Sequence, residues 1–344
     1  MSRAEVTVLG AGIFGLSVAW ACVRRGARVR VIDPNGVAAG SSGGIVGALA
    51  PHTPERWTDK KQFQLDSLLM AKDFWDDVAR ASGLPTGYGR LGRLQPVADE
   101  AALALAKLRA GSARTLWGDA AEWRVEAAPD GWCPTAPMGQ VIFDTLSARL
   151  HPRQACLALA GAIVEMGGEI MRDGAQEGAV VHATGVAGLA SMSAQHTREV
   201  GNGVKGQAVL LDYAADGLPQ LYFDGLHVVP HADGTVAIGS TSERYFEAPA
   251  STDAQLDDVL ARAVAGVPLL GEAKIIARWA GVRPRARTRA PMLGQHPFEK
   301  GAYVVNGGFK IGFGMAPKIA QVMADLVLDD VDHIPPDFQA EKSL

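Results

Sequence analysis

Cysteine is nearly absent from this chain: its 344 residues hold three, Cys22, Cys133 and Cys156, with no CxxC pair among them. Such scatter excludes a disulfide framework and a cysteine-based metal centre, so the three read as reduced packing residues and no metal is expected. Long apolar runs are missing as well. No stretch approaches the roughly eighteen uncharged apolar residues of a membrane-spanning helix. Nor does one sign of charge dominate, since 33 Lys and Arg against 37 Asp and Glu leave a formal net charge of -4. That balance gives no global attraction for nucleic acid or an anionic membrane. No repeat of fixed period occurs, and the one low-complexity tract is an Ala-rich helical stretch around residues 100–110. The N-terminus shows no basic region, apolar core and cleavage site of a secretory signal, which predicts a soluble, cytoplasmic protein.

What is present begins at once. Val6-Thr7-Val8-Leu9 reads as a strand, Gly10-Ala11-Gly12-Ile13-Phe14-Gly15 as a tight turn into a helix, and Arg28 to Ile32 as a second strand ending on Asp33-Pro34. In such a unit Gly10 allows the sharp turn, Gly12 lets backbone N–H groups approach a pyrophosphate at the helix N-terminus, and Gly15 lets helix and strand pack closely. Asp33 stands about 20 residues on, where a carboxylate accepts ribose hydroxyls. The reading is a dinucleotide site. A lone GxGxxG is weak, but here the strand, the apolar helix face (Ile13, Leu16, Ala19, Val23) and the acidic terminus agree.

Further along, helices are expected over Lys61–Ala81, Gln140–Leu150 and Arg153–Met166, the last ended by Gly167-Gly168. Val180 to Gly185 reads as a third strand meeting the dinucleotide with small residues, and Ser41-Ser42-Gly43-Gly44 returns hydroxyls and N–H groups to the same pyrophosphate. From Val204 to Ile238 the character changes to short β-rich runs separated by Asp-Gly turns at Asp216, Asp224 and Asp233, which predicts an antiparallel sheet. A helix over Asp253–Val264, a strand from Lys274 to Trp279, a Gly-rich turn at Asn306 to Gly314 and an amphipathic helix carrying Ile319, Val322, Met323 and Leu326 close the fold. The two other GxGxxG matches, Gly87 to Gly92 and Gly201 to Gly206, lack a strand before them and an apolar helix after them, so one dinucleotide should take electrons directly from a substrate held by the β-rich module.

The N-terminal fingerprint, Ser41-Ser42, Ala183-Thr184-Gly185, Gly206-Gln207, Val229-Pro230 with Gly239-Ser240-Thr241, and Trp279-Ala-Gly-Val-Arg-Pro284 occur in an order that runs through nearly the whole chain. Together they resemble the FAD-dependent D-amino acid oxidase superfamily, in particular glycine oxidase, sarcosine oxidase and the oxidoreductase half of a bifunctional tRNA-wobble-uridine modifying enzyme. The resemblance implies an α/β, two-domain fold with a Rossmann-like FAD-binding domain (residues 1–85, 140–203 and 288–335) interleaved with an antiparallel-sheet substrate domain (86–139 and 204–287), and a tail at 336–344. It implies FAD contacts from Gly10, Ala11, Gly12, Ile13, Phe14, Gly15, Asp33, Pro34, Ser41, Ser42, Gly47, Ala48, Leu49, Thr184, Gly185, Gly308, Phe309, Lys310 and Ile311. It also implies oxidation of a C–N bond of a small amino acid or amine by hydride transfer to flavin N5, giving an imine, with O2 or another electron acceptor. With Cys133 and Cys156 upstream of the region where sarcosine oxidase attaches its flavin covalently, a dissociable FAD is expected.

Two residues carry the expected chemistry. Arg283 matches the family's carboxylate-binding arginine, and a planar guanidinium suits a bidentate grip; the plainer reading is a pair with a local acid. Lys310 resembles a sarcosine oxidase lysine that lies by the flavin, where an ammonium and a helix N-terminus offset anionic charge; the plainer reading is a solvated loop lysine. Unlike many relatives, the chain has only Met171 to Ala179 between Ile170 and Val180, and it carries alternate arginines at 283, 285, 287 and 289. Those arginines are either a solvated stripe or a selector for a ligand with more than one acidic group. His52, Arg56 and Tyr245 read as structural or solvated, and Trp279 as core. Two other functions fit the same motifs: an FAD-dependent oxidoreductase acting on a carboxymethylaminomethyl-type group in tRNA, and a catalytically silent FAD-binding subunit. Nucleic acid is the less favoured partner, given the acidic balance.

Overall fold

The computed structural model describes residues 5–344. Two large sheets share the chain. The first has six strands in the order β15 (Met292–Gln295), β16 (Ala302–Asn306), β9 (Ala179–His182), β1 (Glu5–Leu9), β2 (Arg28–Ile32) and β8 (Glu169–Met171). All neighbours are parallel except the β15–β16 pair. The second has eight strands in the order β14 (Lys274–Ala286), β10 (Gly201–Asp212), β13 (Thr235–Gly239), β12 (Leu226–Pro230), β11 (Gln220–Phe223), β4 (Arg93–Pro96), β6 (Gln140–Asp144) and β5 (Trp123–Ala127). Here neighbours are antiparallel except β11 with β4. A two-stranded pair, β3 (Ala48–Leu49) and β7 (Ala148–Arg149), links the segments that cross between them.

The helices explain the parallel sheet. Alternate residues of β1 are apolar and buried, and α1 (Ile13–Arg24) is buried nearly all round, so it is enclosed by strands and by its neighbours α4 (Pro152–Glu165) and α7 (Gly312–Asp329). Outside α4 and α7 lies α2 (Asp59–Ser82), which starts on a Thr58 cap and stops at Gly83 in the left-handed region, φ +68°. The core around these four helices holds Leu16, Trp20, Trp75, Leu159, Ile163 and Met323. A separate core under the large sheet packs Val209, Leu221, Val228 and Ile238 against α6 (Ala254–Gly266), while α3 (Glu100–Leu116) lies on β5. The short helix α5 (Gly185–Ala194) touches β16, β10 and β14 and so joins the two sheets.

Three readings of the sequence meet a different structure. Gln140–Leu150 is not a helix: Val141, Ile142 and Phe143 are β-branched or aromatic, and β6 fills the gap between β4 and β5. The chain therefore stays with the large sheet to Asp144, four residues past the expected boundary at 140. Residues 336–344 do not trail away, because Phe338 is fully buried with its ring edge-on to Phe63 at 5.0 Å, and Ala340 packs beside Met292 and Val304.

Candidate functional site

Between the two sheets lies a cavity of about 860 Å³, toward the upper end of the range for small-molecule and cofactor pockets. Three helices begin at its wall: α1 at Gly12-Ile13, α5 at Thr184-Gly185 and α7 after Gly308-Phe309-Lys310. None of the three has an N-cap side chain bonded to its first turn. The other four α-helices do, through Thr58, Asp99, His151 and Asp253. Helix N-termini without such a cap carry partial positive charge and, apart from an Ile13 N–H taken by Ser42 Oγ, turn their first-turn N–H donors toward this cavity, which suits an anion.

The loops beneath those termini are held close. Gly10 adopts φ +110°, and a Cβ there would lie 2.8 Å from the Ala183 carbonyl carbon, so β1 and the β9–α5 turn meet backbone to backbone. Asp33 Oδ2 accepts the Ala11 N–H at 2.9 Å and Oδ1 accepts the Asn35 N–H at 2.9 Å, leaving further lone pairs toward the cavity. Ser42 Oγ accepts the Ile13 N–H at 3.0 Å, and the Ile45 carbonyl is held by His231 Nε2 at 2.8 Å. On the far side a Cβ on Gly308 would press on the Phe14 ring at 2.7 Å, which brings the first and last Gly-rich loops face to face. Asn306, buried, donates to the Gly185 carbonyl at 2.9 Å and accepts the Gly307 N–H at 2.7 Å, tying α5 to the last loop.

The other end of the cavity is cationic. Arg283 donates to Ser240 Oγ at 2.8 Å and to the Thr241 carbonyl at 3.4 Å, and among the described residues it has no carboxylate within ion-pair distance. The nearby acid, Glu243, is engaged by Lys205 at 3.3 Å and by Gln207 Nε2 at 2.9 Å. Burial lowers the Arg283 guanidinium from its ordinary value to about 10, with Glu243 opposing. Lys310 lines the same end, where partial desolvation and then the Arg283 charge lower its ammonium below its ordinary value. His227 presents an edge to the cavity beside Tyr222, ring centroids 4.7 Å apart, and its Nδ1 is buried without a hydrogen-bond partner. Burial, then Arg93 and Lys310, push it down to about 3, so it is neutral at any ordinary pH.

The sequence profile of the family described as DAO, FAD dependent oxidoreductase, matches residues 5–326. The chain belongs to this family. A Rhizobium etli protein provisionally named thiamine biosynthesis oxidoreductase ThiO is 28% identical over 340 residues, covering 95% of this chain and 97% of that one. The match to Pseudomonas aeruginosa glycine oxidase is 34% identical over 125 residues but spans only 36% of this chain and 34% of that protein. In three dimensions the crystal structure of glycine oxidase from Geobacillus kaustophilus superposes with a TM-score of 0.83 at 20% identity, covering 99% of both chains.

The site of this FAD-dependent oxidoreductase fits its cofactor by its own geometry: bare glycine turns, three uncapped helix N-termini for a diphosphate, and an acceptor carboxylate at Asp33. Of the residues expected from the sequence, Gly10, Gly12, Ile13, Phe14, Asp33, Pro34, Ser41, Ser42, Gly47, Ala48, Thr184, Gly185, Arg283, Gly308, Phe309 and Lys310 line the one cavity. Ala11, Gly15, Leu49 and Ile311 do not; they shape the turns behind it, Gly15 by lying against the Gly10 carbonyl and Ile311 by preceding α7. The arginine stripe is not one surface. Arg283 faces the cavity, Arg285 stacks over Phe309 at 5.8 Å, Arg287 holds the Ser343 carbonyl at 3.2 Å, and Arg289 is exposed. Tyr245 is 94% exposed and His52 is bonded to Gln64, so neither enters the site. Tyr222, His227 and Asn306 were missed, because a polar residue in a β-run shows which face it takes only once the sheet is assembled. Trp279, expected in the core, is half-buried and lines the cavity. None of the cysteines does, and burial pushes the Cys22 thiol up to about 12. Among the described residues no group of His, Cys, Asp or Glu is placed to hold a metal, and no helix is long and apolar enough to cross a membrane.

Proposed function

We propose that this protein oxidises the C–N bond of a small carboxylate-bearing amine, a primary amino acid or a secondary amine, to the imine. The observation that carries the reading is the cationic end of the cavity: a half-buried arginine with no carboxylate partner, beside a lysine and a histidine that stays neutral. FAD, held without a covalent bond by the Gly10–Gly15 turn, Asp33, the Ser41–Ser42 loop, Thr184-Gly185 and the loop before α7, supplies the acceptor for the hydride leaving the carbon next to nitrogen.

The residues do the rest. Arg283 grips the substrate carboxylate with two N–H groups, which fixes the amine and its neighbouring carbon relative to the protein. An ammonium entering beside Arg283 and Lys310 meets two positive charges and no carboxylate, so the substrate sheds that proton to solvent and binds as a neutral amine. No side-chain base is needed for this. His227, uncharged, can accept an N–H from that amine, and Lys310 with the α7 N-terminus favours negative charge at the same end. The imine, released to water, hydrolyses to the carbonyl compound. The electrons then leave to O2 or another acceptor.

Anaerobic mixing of the yellow holoprotein with glycine, sarcosine, D-alanine, D-aspartate and proline tests the reading. Loss of the visible flavin band with at least one of them is expected. An unchanged spectrum with all five, in protein that is bleached by dithionite, overturns it.

A further inference from the structure

On the cavity side of β14, every second residue shares a face, and the register places Trp279 opposite Ala208, Gly281 opposite Gly206, and Arg283 opposite Val204. The middle pair has no side chains. Both large neighbours lean over it from opposite directions: a Cβ on Gly206 would overlap the Arg283 guanidinium, and a Cβ on Gly281 would lie 2.7 Å from Cη2 of the Trp279 indole. The guanidinium and the indole therefore converge on one bare glycine floor. The indole is also approached by the loop that follows Ser41–Gly43, since a Cβ on Gly44 would stand 3.3 Å from the same ring atom. Gly44 on one side and Gly281 on the other bracket the outer edge of the ring where it meets the cavity.

We propose that Trp279 sets the upper size limit of the substrate: a carboxylate held by Arg283 carries the rest of the molecule against the indole, which accepts hydrogen or methyl-sized groups and excludes bulky ones. The proposal rests on Arg283 being the carboxylate ligand. It goes beyond that reading by assigning selectivity to a residue four positions earlier on the same strand. A side chain at Gly281 would displace the indole and one at Gly206 the guanidinium, so each glycine makes room for one of the two converging groups.

The test uses binding rather than turnover. Holoproteins of the wild type, Trp279→Ala and Trp279→Phe are titrated with acetate and with benzoate, and the flavin absorption spectrum reports each dissociation constant. The expected result is that wild type favours acetate, that Trp279→Ala shifts the benzoate-to-acetate preference by about tenfold or more toward benzoate, and that Trp279→Phe falls between. A residue that merely glued Gly44 to β14 would change flavin content or weaken both ligands alike, leaving the ratio where it was. An unmoved ratio in flavin-replete variants overturns the proposal and leaves the Arg283 reading standing. If neither carboxylate perturbs the wild-type spectrum, the Arg283 reading falls and this one with it.

Discussion

Replacing Arg283 by methionine should make the protein more stable while removing its ligand binding. Burial, only partly opposed by Glu243, lowers the guanidinium to about 10 on folding, which corresponds to roughly 3 kcal/mol of net lost solvation. Methionine keeps the volume and carries no charge to desolvate. Against that gain, the bond to Ser240 Oγ at 2.8 Å is lost, and the contact to the Thr241 carbonyl at 3.4 Å is too long to matter much, so the loss is roughly 1 kcal/mol. Glu243 is not stranded, because Lys205 and Gln207 already hold it. The net expectation is a gain of about 1–2 kcal/mol, read from urea unfolding at saturating FAD with tryptophan fluorescence. On the functional side, two charge-assisted hydrogen bonds of roughly 1.5–3 kcal/mol each disappear, which weakens carboxylate binding by about 10²-fold or more. An Arg283→Met variant destabilised by more than about 1 kcal/mol would refute the reasoning, since it would mean the guanidinium is satisfied within the fold and not reserved for a ligand.

Gly206→Ala places a Cβ inside the Arg283 guanidinium, so the expected outcome is normal flavin content with carboxylate affinity lower by about 10- to 100-fold in spectral titration. His227 and His231, held at about 3 and about 4 by burial, refuse protons that the unfolded chain takes up below 6.5. Stability should therefore be full above 6.5 and fall as the pH drops, by up to about 1.4 kcal/mol per pH unit for each histidine. His227→Phe should remove about one proton from that dependence, as measured by denaturant midpoints between those pH values. Asp33→Ala leaves the Ala11 and Asn35 N–H groups without their acceptor and should weaken FAD retention by about tenfold or more. In wild type, acid precipitation should leave the yellow colour in the supernatant.

The first strand, turn and helix were legible in the sequence because their requirements are local. Gly10, Gly12 and Gly15 answer to backbone space within a few residues, and Asp33 follows at a fixed distance set by one helix and one strand. The β-rich middle was equally plain from its Asp-Gly turns. Residues 140–150 were not, since a short apolar run is compatible with helix or strand until β4 and β5 are there to pair with it. Arg283 and Lys310 were found through a family motif, but that neither has a carboxylate partner among the described residues is a statement about what surrounds them.

The sequence by itself determined the strand, glycine turn and helix at the start of the chain and the β-rich module that follows, and its family motifs singled out an arginine and a lysine that line the cavity. Only the tertiary structure decided that three uncapped helix N-termini open on one cavity, that the four arginines part company, and that Trp279 faces Arg283 across two glycines. The physical reason is that spacing along a chain fixes the phase of a strand or helix, whereas the face a strand presents, and the charges left unpaired on it, depend on which distant segment packs there.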